Sequence, residues 1–111
     1  MEFPEKGLIV AIIDANPGKG QGIVDAYADF IKTLKPREPD CIHFVLYRQI
    51  DATTGNERFF TVEKFTNMEA LKFHRTNPAL DVFNKVVAKK DLVAKPIKVA
   101  TCEPIIAMDP K

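Results

Sequence analysis

Serine and tryptophan are both missing from this 111-residue chain, and cysteine and histidine occur only twice each. Without serine there is no serine nucleophile, and neither Cys41 nor Cys102 has a base beside it in the sequence. The cysteines form no CxxC pair and no cluster with histidine, which argues against zinc and redox motifs; both fall in predicted strands and read as small core hydrophobes. Charge of one sign is lacking too, since 16 basic side chains nearly cancel 15 acidic ones. No nucleic-acid footprint results, and Lys89-Lys90 beside Asp91 reads as a solvated face. No apolar run reaches membrane length, and Glu2, Pro4 and Glu5 precede the first apolar stretch where a leader would carry basic residues. These absences predict a cytoplasmic protein that binds neither membrane nor nucleic acid. At this length, with 46% apolar and 28% charged residues, the expectation is one domain over 1–111.

What is present is organised around Glu63 to Val87. Thr66-x-x-Glu69 has the spacing of a capping box and predicts a helix opening at about Asn67. Thr76-Asn77-Pro78 breaks that helix and starts another, because Asn caps well and Pro suits the first helical position. Leu71 and His74, three apart, share a face that Ala70 and Phe73 flank towards the core. His74 lies near the helix end, where the dipole favours an imidazolium and apolar neighbours favour the neutral ring. It is either a functional base or a histidine satisfied by a backbone carbonyl.

Leu8 to Ala15 is apolar on both parities, which predicts a strand buried on both faces, ended by the turn Asn16-Pro17-Gly18. Ile23, Tyr27, Phe30, Ile31 and Leu34 then fall at helical spacing, and the helix must stop before Pro36. Cys41 to Ile50 alternates, with Ile42, Phe44, Leu46 and Ile50 on one side and Cys41, His43, Val45, Tyr47 and Gln49 on the other. Residues 51–56 read as a turn and Arg58 to Phe65 as the returning strand of a hairpin. On it Phe59, Thr61, Glu63 and Phe65 share one face, and Arg58, Phe60, Val62 and Lys64 the other. Val82, Phe83, Val86 and Val87 form the stripe of the helix after Pro78. Ile97 to Glu103 is the last strand, bent or edged by Pro104. This order is the split βαβ plan: a ferredoxin-like α+β fold with an antiparallel four-stranded sheet and helices on one face. The other face, with Val45, Tyr47, Phe60 and Val62, predicts a homodimer packed sheet against sheet, and the tail from about 104 to 111 is a candidate to cross to the partner. His43 has the parity of that face and reads as structural.

Several short patterns together resemble the antibiotic biosynthesis monooxygenase domains of the dimeric α/β-barrel superfamily, over nearly the whole chain. They are Pro17-Gly18 after the first strand, Cys41-x-x-Phe44, Glu63-Lys64-Phe65, Glu69-Ala70-Leu71-Lys72-Phe73-His74 and Thr76-Asn77-Pro78. The resemblance implies a pocket between sheet and helices, lined by the Glu63 and Phe65 face and by His74. Several members oxidise quinols, phenols or anthrones with dioxygen and without metal or flavin, so no cofactor is expected. The protein need only bind an electron-rich phenol, deprotonate it and exclude water. In that reading His74 is the base, Phe59, Phe65 and Phe83 are apolar walls, and Glu63 is a polar anchor. Arg48 either steadies a phenolate, pairs with Glu63 or reaches solvent. The chain departs from the family at Phe65, where many members have Trp, and at Ala79, where some have a second His. It lacks the Asn and His of the haem-degrading branch, which would fall at Ala11 and near Asn84. Two other readings keep the fold: a polyketide cyclase using a Tyr27–His74 pair, and a non-catalytic module whose hole is filled by Phe59, Phe65, Phe73 and Phe83.

Overall fold

A computed structural model of the chain describes residues 2–51 and 55–109. The centre of the expected turn at 51–56 and the end of the tail, 110–111, lie outside the described residues. The elements run β1 (Gly7–Asp14), α1 (Gly20–Leu34), β2 (Cys41–Arg48), β3 (Arg58–Phe65), α2 (Met68–Thr76), α3 (Pro78–Lys89) and β4 (Lys98–Cys102). The strands form one sheet in the order β2-β3-β1-β4, with every neighbouring pair antiparallel. Because β3 sits between β1 and β2, the β1-α1-β2 unit is split, and the ferredoxin-like α+β plan holds.

Strand parity decides what enters the core. Ile9, Ala11 and Ile13 of β1 and Phe59, Thr61, Glu63 and Phe65 of β3 face the helices and are buried. Against them α1 lays Ile23, Ala26, Tyr27, Phe30 and Leu34, and α3 lays Ala79, Phe83 and Val87. Aromatic rings interlock at the centre, with Tyr27 and Phe83 centroids 4.6 Å apart and Phe30 and Phe83 4.9 Å apart. Each large apolar side chain withdrawn from water in this layer contributes about 1.5–3 kcal/mol.

The opposite parity differs from expectation. Leu8, Val10 and Ile12 are only half-buried, because the helices cover one face of the sheet alone; β1 is therefore not buried on both faces within the chain. Val45 pairs with Val62 and Tyr47 with Phe60 on that uncovered face, as their alternation predicts. Cys41 does not join them. An irregularity between Cys41 and His43 shifts the register, so Cys41 opposes Phe65 and packs with Ile9, Phe65 and Leu71 on the helix side. Burial pushes its thiol up to about 11, which suits an inert side chain. Cys102 is exposed, not a core residue, as are all five residues of β4.

The helix ends are also shifted. Asn67, not Thr66, caps α2: its side chain accepts from Ala70 N at 2.8 Å, while Thr66 Oγ1 turns away to donate to Asp40 at 2.9 Å. Asn77 caps α3 by accepting from Ala79 N at 3.0 Å, with Pro78 at the first helical position as expected. Phe73 is 50% exposed and Val82 63% exposed, so neither belongs to the buried stripe of its helix. In α3 the stripe is Ala79, Phe83 and Val87, one residue in every four.

The shifted cap has a measurable consequence. Asn67→Ala is expected to cost about 1 kcal/mol in urea unfolding, and Thr66→Ala about half as much, as the loss of one exposed hydrogen bond. The reverse order would return the cap to Thr66.

Candidate functional site

The chain break at Thr76-Asn77-Pro78 aims the last turn of α2 into the layer between helices and sheet, and it carries His74 inwards with only 4% of its surface exposed. Both ring nitrogens meet a carboxylate. Nδ1 lies 2.8 Å from Glu38 Oε1, and Nε2 lies 2.9 Å from Glu63 Oε1. Glu38 comes from the connection after α1 and is itself buried; its second oxygen accepts from Asn77 Nδ2 at 2.7 Å. Glu63 comes from the inward face of β3, and its second oxygen accepts from Thr61 Oγ1 at 2.6 Å. Among the described residues no buried side-chain nitrogen or oxygen is left without a partner.

With a carboxyl group at each nitrogen, the ring can donate at both only as the imidazolium. Burial by itself lowers the pKa of His74; the hydrogen bond and charge of Glu63 and the charge and hydrogen bond of Glu38 outweigh it and hold it above the ordinary 6.5. The balance left open by the sequence is thus tipped towards the imidazolium.

Glu63 and His74 form part of the wall of a cavity of about 390 Å³ between sheet and helices. The floor is Ile9 and Ala11; Tyr27, Phe30, Leu80, Phe83 and Val87 supply apolar sides, and Val93, Pro96, Ile97 and Val99 form a lip along β4. That volume is near the small end of the range for pockets that enclose a small organic molecule. Asn16 shapes the lip: its Nδ2 donates to Asp91 O at 2.9 Å and Val93 O at 3.1 Å, fixing the α3–β4 connection to the end of β1. Asp91 there takes a φ of 50°.

Of the expected site residues, His74, Glu63, Tyr27 and Phe83 share this cavity and three do not reach it. Phe59 and Phe65 have the inward parity, yet each is sealed by its own neighbours near an end of β3, at 1% and 0% exposure. Phe65 instead backs the imidazole, with centroids 5.2 Å apart. Arg48 is drawn to Glu57 at 2.9 Å beyond the end of β2, with its guanidinium 5.4 Å from the Phe59 ring centroid. It does not pair with Glu63. Tyr27 makes no hydrogen bond to His74; burial, and then the charge of Glu63, pushes its phenol well above the usual range.

Glu38, Thr61 and Asn77 were missed as members of the site. Thr61 had the right parity beside Glu63, and Asn77 was assigned only as a cap. Glu38 stands 36 residues from His74, between Arg37 and Pro39, and no spacing rule brings it there. Among the described residues no group of three or more His, Cys, Asp and Glu side chains is arranged to hold a metal ion, and no helix is long and apolar enough to cross a membrane.

The family model described as "Antibiotic biosynthesis monooxygenase" matches residues 8–86. No curated protein matches the chain. Among solved structures, a protein of Shewanella oneidensis is 26% identical, with a TM-score of 0.75 over 94% of this chain and 95% of its own. A Deinococcus radiodurans protein described as a candidate antibiotic biosynthesis monooxygenase is 13% identical, with a TM-score of 0.76 over 93% and 96%. A Nitrosomonas europaea protein of unknown function is 15% identical, with a TM-score of 0.74 over 99% of each chain. At those last two identities the likeness is one of fold.

The raised pKa of His74 makes folding stability depend on pH with a definite sign. The contribution is whole below 6.5, the unfolded value, and is lost as pH rises through the higher folded value. The thermal unfolding midpoint of the parent is expected to fall as pH rises across that window, and His74→Gln to remove this component. A histidine resonance assigned to His74 that titrates at or below 6.5 would contradict the charged ring.

Proposed function

The chain belongs to the antibiotic biosynthesis monooxygenase family, and from that premise we propose that it oxidises an electron-rich phenol, quinol or anthrone with dioxygen. The observation that carries this reading is the Glu63 carboxylate, backed by His74, in the wall of an otherwise mostly apolar cavity. The acidic proton of the substrate passes to Glu63, which is bonded to His74 and through the ring to Glu38. His74 therefore serves as the centre of a carboxylate relay and not as a free neutral imidazole. Tyr27 and Phe83 flank the ring of the substrate.

The resulting anion gives one electron to dioxygen, and the radical pair joins to form a carbon–oxygen bond. Loss of water from the peroxide leaves the carbonyl: for an anthrone, CH2 and O2 become C=O and H2O. One oxygen atom enters the product, and the other leaves as water. The protein's share is to bind, deprotonate and keep water from the anion, and the apolar walls suit the last of these.

The cyclase alternative is weaker here because both nitrogens of His74 are occupied by carboxylates and Tyr27 is not bonded to it. The non-catalytic module loses its filled hole, since Phe59 and Phe65 are sealed away, Phe73 is turned to solvent and the cavity is open. The uncovered sheet face and the exposed Ile105, Ile106 and Met108 of the tail support a homodimer packed through that face, with the tail on the partner. No cofactor is assigned to the reaction, and a cytoplasmic location remains part of the same proposal.

Oxygen uptake against hydroquinones, catechols and anthrones tests the reaction. Uptake by the parent should fall by about 100-fold or more in Glu63→Gln, which keeps the side chain's shape, and fall likewise in His74→Ala. Protein that binds these compounds and consumes no oxygen overturns the oxygenase reading. Light scattering at micromolar concentration should give twice the chain mass; a stable monomer removes the sheet-to-sheet dimer.

A further inference from the structure

The polar groups of the cavity differ in depth. Glu63 and His74 are buried in its wall, while Arg75 and the neutral Asn84 line it from exposed positions. Arg75 is a cavity-lining residue of a different kind. It is the next residue along α2, yet it is exposed while His74 is buried, so the two side chains leave the helix in different directions. Its Nη1 donates to Thr101 Oγ1 of β4 at 3.1 Å, which holds the guanidinium at the rim beside Val99.

The nature of that tether matters. Arg48 and Arg58 are clamped by Glu57 and Asp14 at 2.9 and 2.6 Å. Arg75 has no carboxylate partner among the described residues and is held by a neutral hydroxyl. A guanidinium has five N–H donors in a rigid fork, so with Nη1 engaged its Nε and Nη2 edge is still free to take a carboxylate through two parallel bonds. The pocket thus has a carboxylate within and a guanidinium at its rim, with a wall that is otherwise apolar apart from the neutral Asn84. An anion is repelled from the Glu63 side and attracted at Arg75, which gives a bound molecule only one favourable way round.

We propose that Arg75 is a specificity-determining residue that selects phenols bearing a carboxylate at the end remote from the reacting hydroxyl. The hydroxyl then points to Glu63 and the carboxylate to the rim. A position in the last turn of α2 also lets Arg75 complement the helix dipole, but that role makes no distinction between an acidic and a neutral ligand. The proposal rests on the cavity being the substrate pocket and not on the compound being oxidised.

The test is anaerobic binding, followed by fluorescence, of a matched pair: 6-hydroxy-2-naphthoate and 2-naphthol. The parent should bind the acid about tenfold more tightly, as one charge-assisted fork implies. Arg75→Gln should abolish the preference, and Arg75→Lys should retain part of it. In the parent itself the preference should shrink between low and high salt, as exposed charges are screened; this readout needs no variant to fold. Equal binding of the two compounds by the parent, or a preference that survives Arg75→Gln, overturns the assignment. Preference for the acid without oxygen uptake leaves Arg75 in place and removes the oxygenase reading instead.

Discussion

His74 held between Glu38 and Glu63 is the constraint on which the inner layer of this protein depends. Three ionisable groups are withdrawn from water together, and none of them could be buried alone at tolerable cost. Their mutual bonds are what make the burial possible, and those bonds come from three places in the chain: the connection after α1, the inward face of β3 and the end of α2. The trio therefore ties a helix and a loop to the sheet at one point. Asn77 extends the tie, because the residue that donates to Glu38 also caps α3. The end of one helix, the start of the next and the chemistry of the cavity are consequently parts of one hydrogen-bonded unit.

The rest of the cavity follows from what surrounds that unit. Aromatic side chains of α1 and α3 meet at tilted angles above the sheet, and they close off the space on the α1 side. Towards β4 no helix covers the strand, so the space stays open there and is bounded by the connection that Asn16 pins to β1. An apolar chamber with a charged group in its wall and an opening along one edge is the natural result. The same incompleteness appears on the other side of the sheet, where apolar side chains of β1, β2 and β3 remain half-exposed.

Departures from the family pattern acquire a physical meaning in this setting. Phe65, standing where many members have Trp, is wholly buried and lies against the imidazole, so it supports His74 from behind and does not touch the cavity. Ala79 is buried beneath α3 with Phe83 and Val87, where a charged second histidine would need a partner of its own.

Local chemistry was enough to read much of the fold from the sequence. Helical spacing ending at Pro36, the Asn77-Pro78 restart and the period-two alternation of β3 each act over a few residues, so the element order and the inward direction of Glu63 and His74 were legible. The position of the α2 cap was not, because Thr66 had a choice between its own helix and Asp40, 26 residues away. Nor was the register of Cys41, which one irregular residue reversed. The sequence by itself determined which strand and helix carry Glu63 and His74, and that they face the same layer. Only the tertiary structure decided that Glu38 completes the pair, that the His74 pKa is raised and not lowered, and that Arg48 and Phe59 stay outside the cavity. The physical reason is that pairing and burial are set by distances across the fold, and those distances have no counterpart in spacing along the chain.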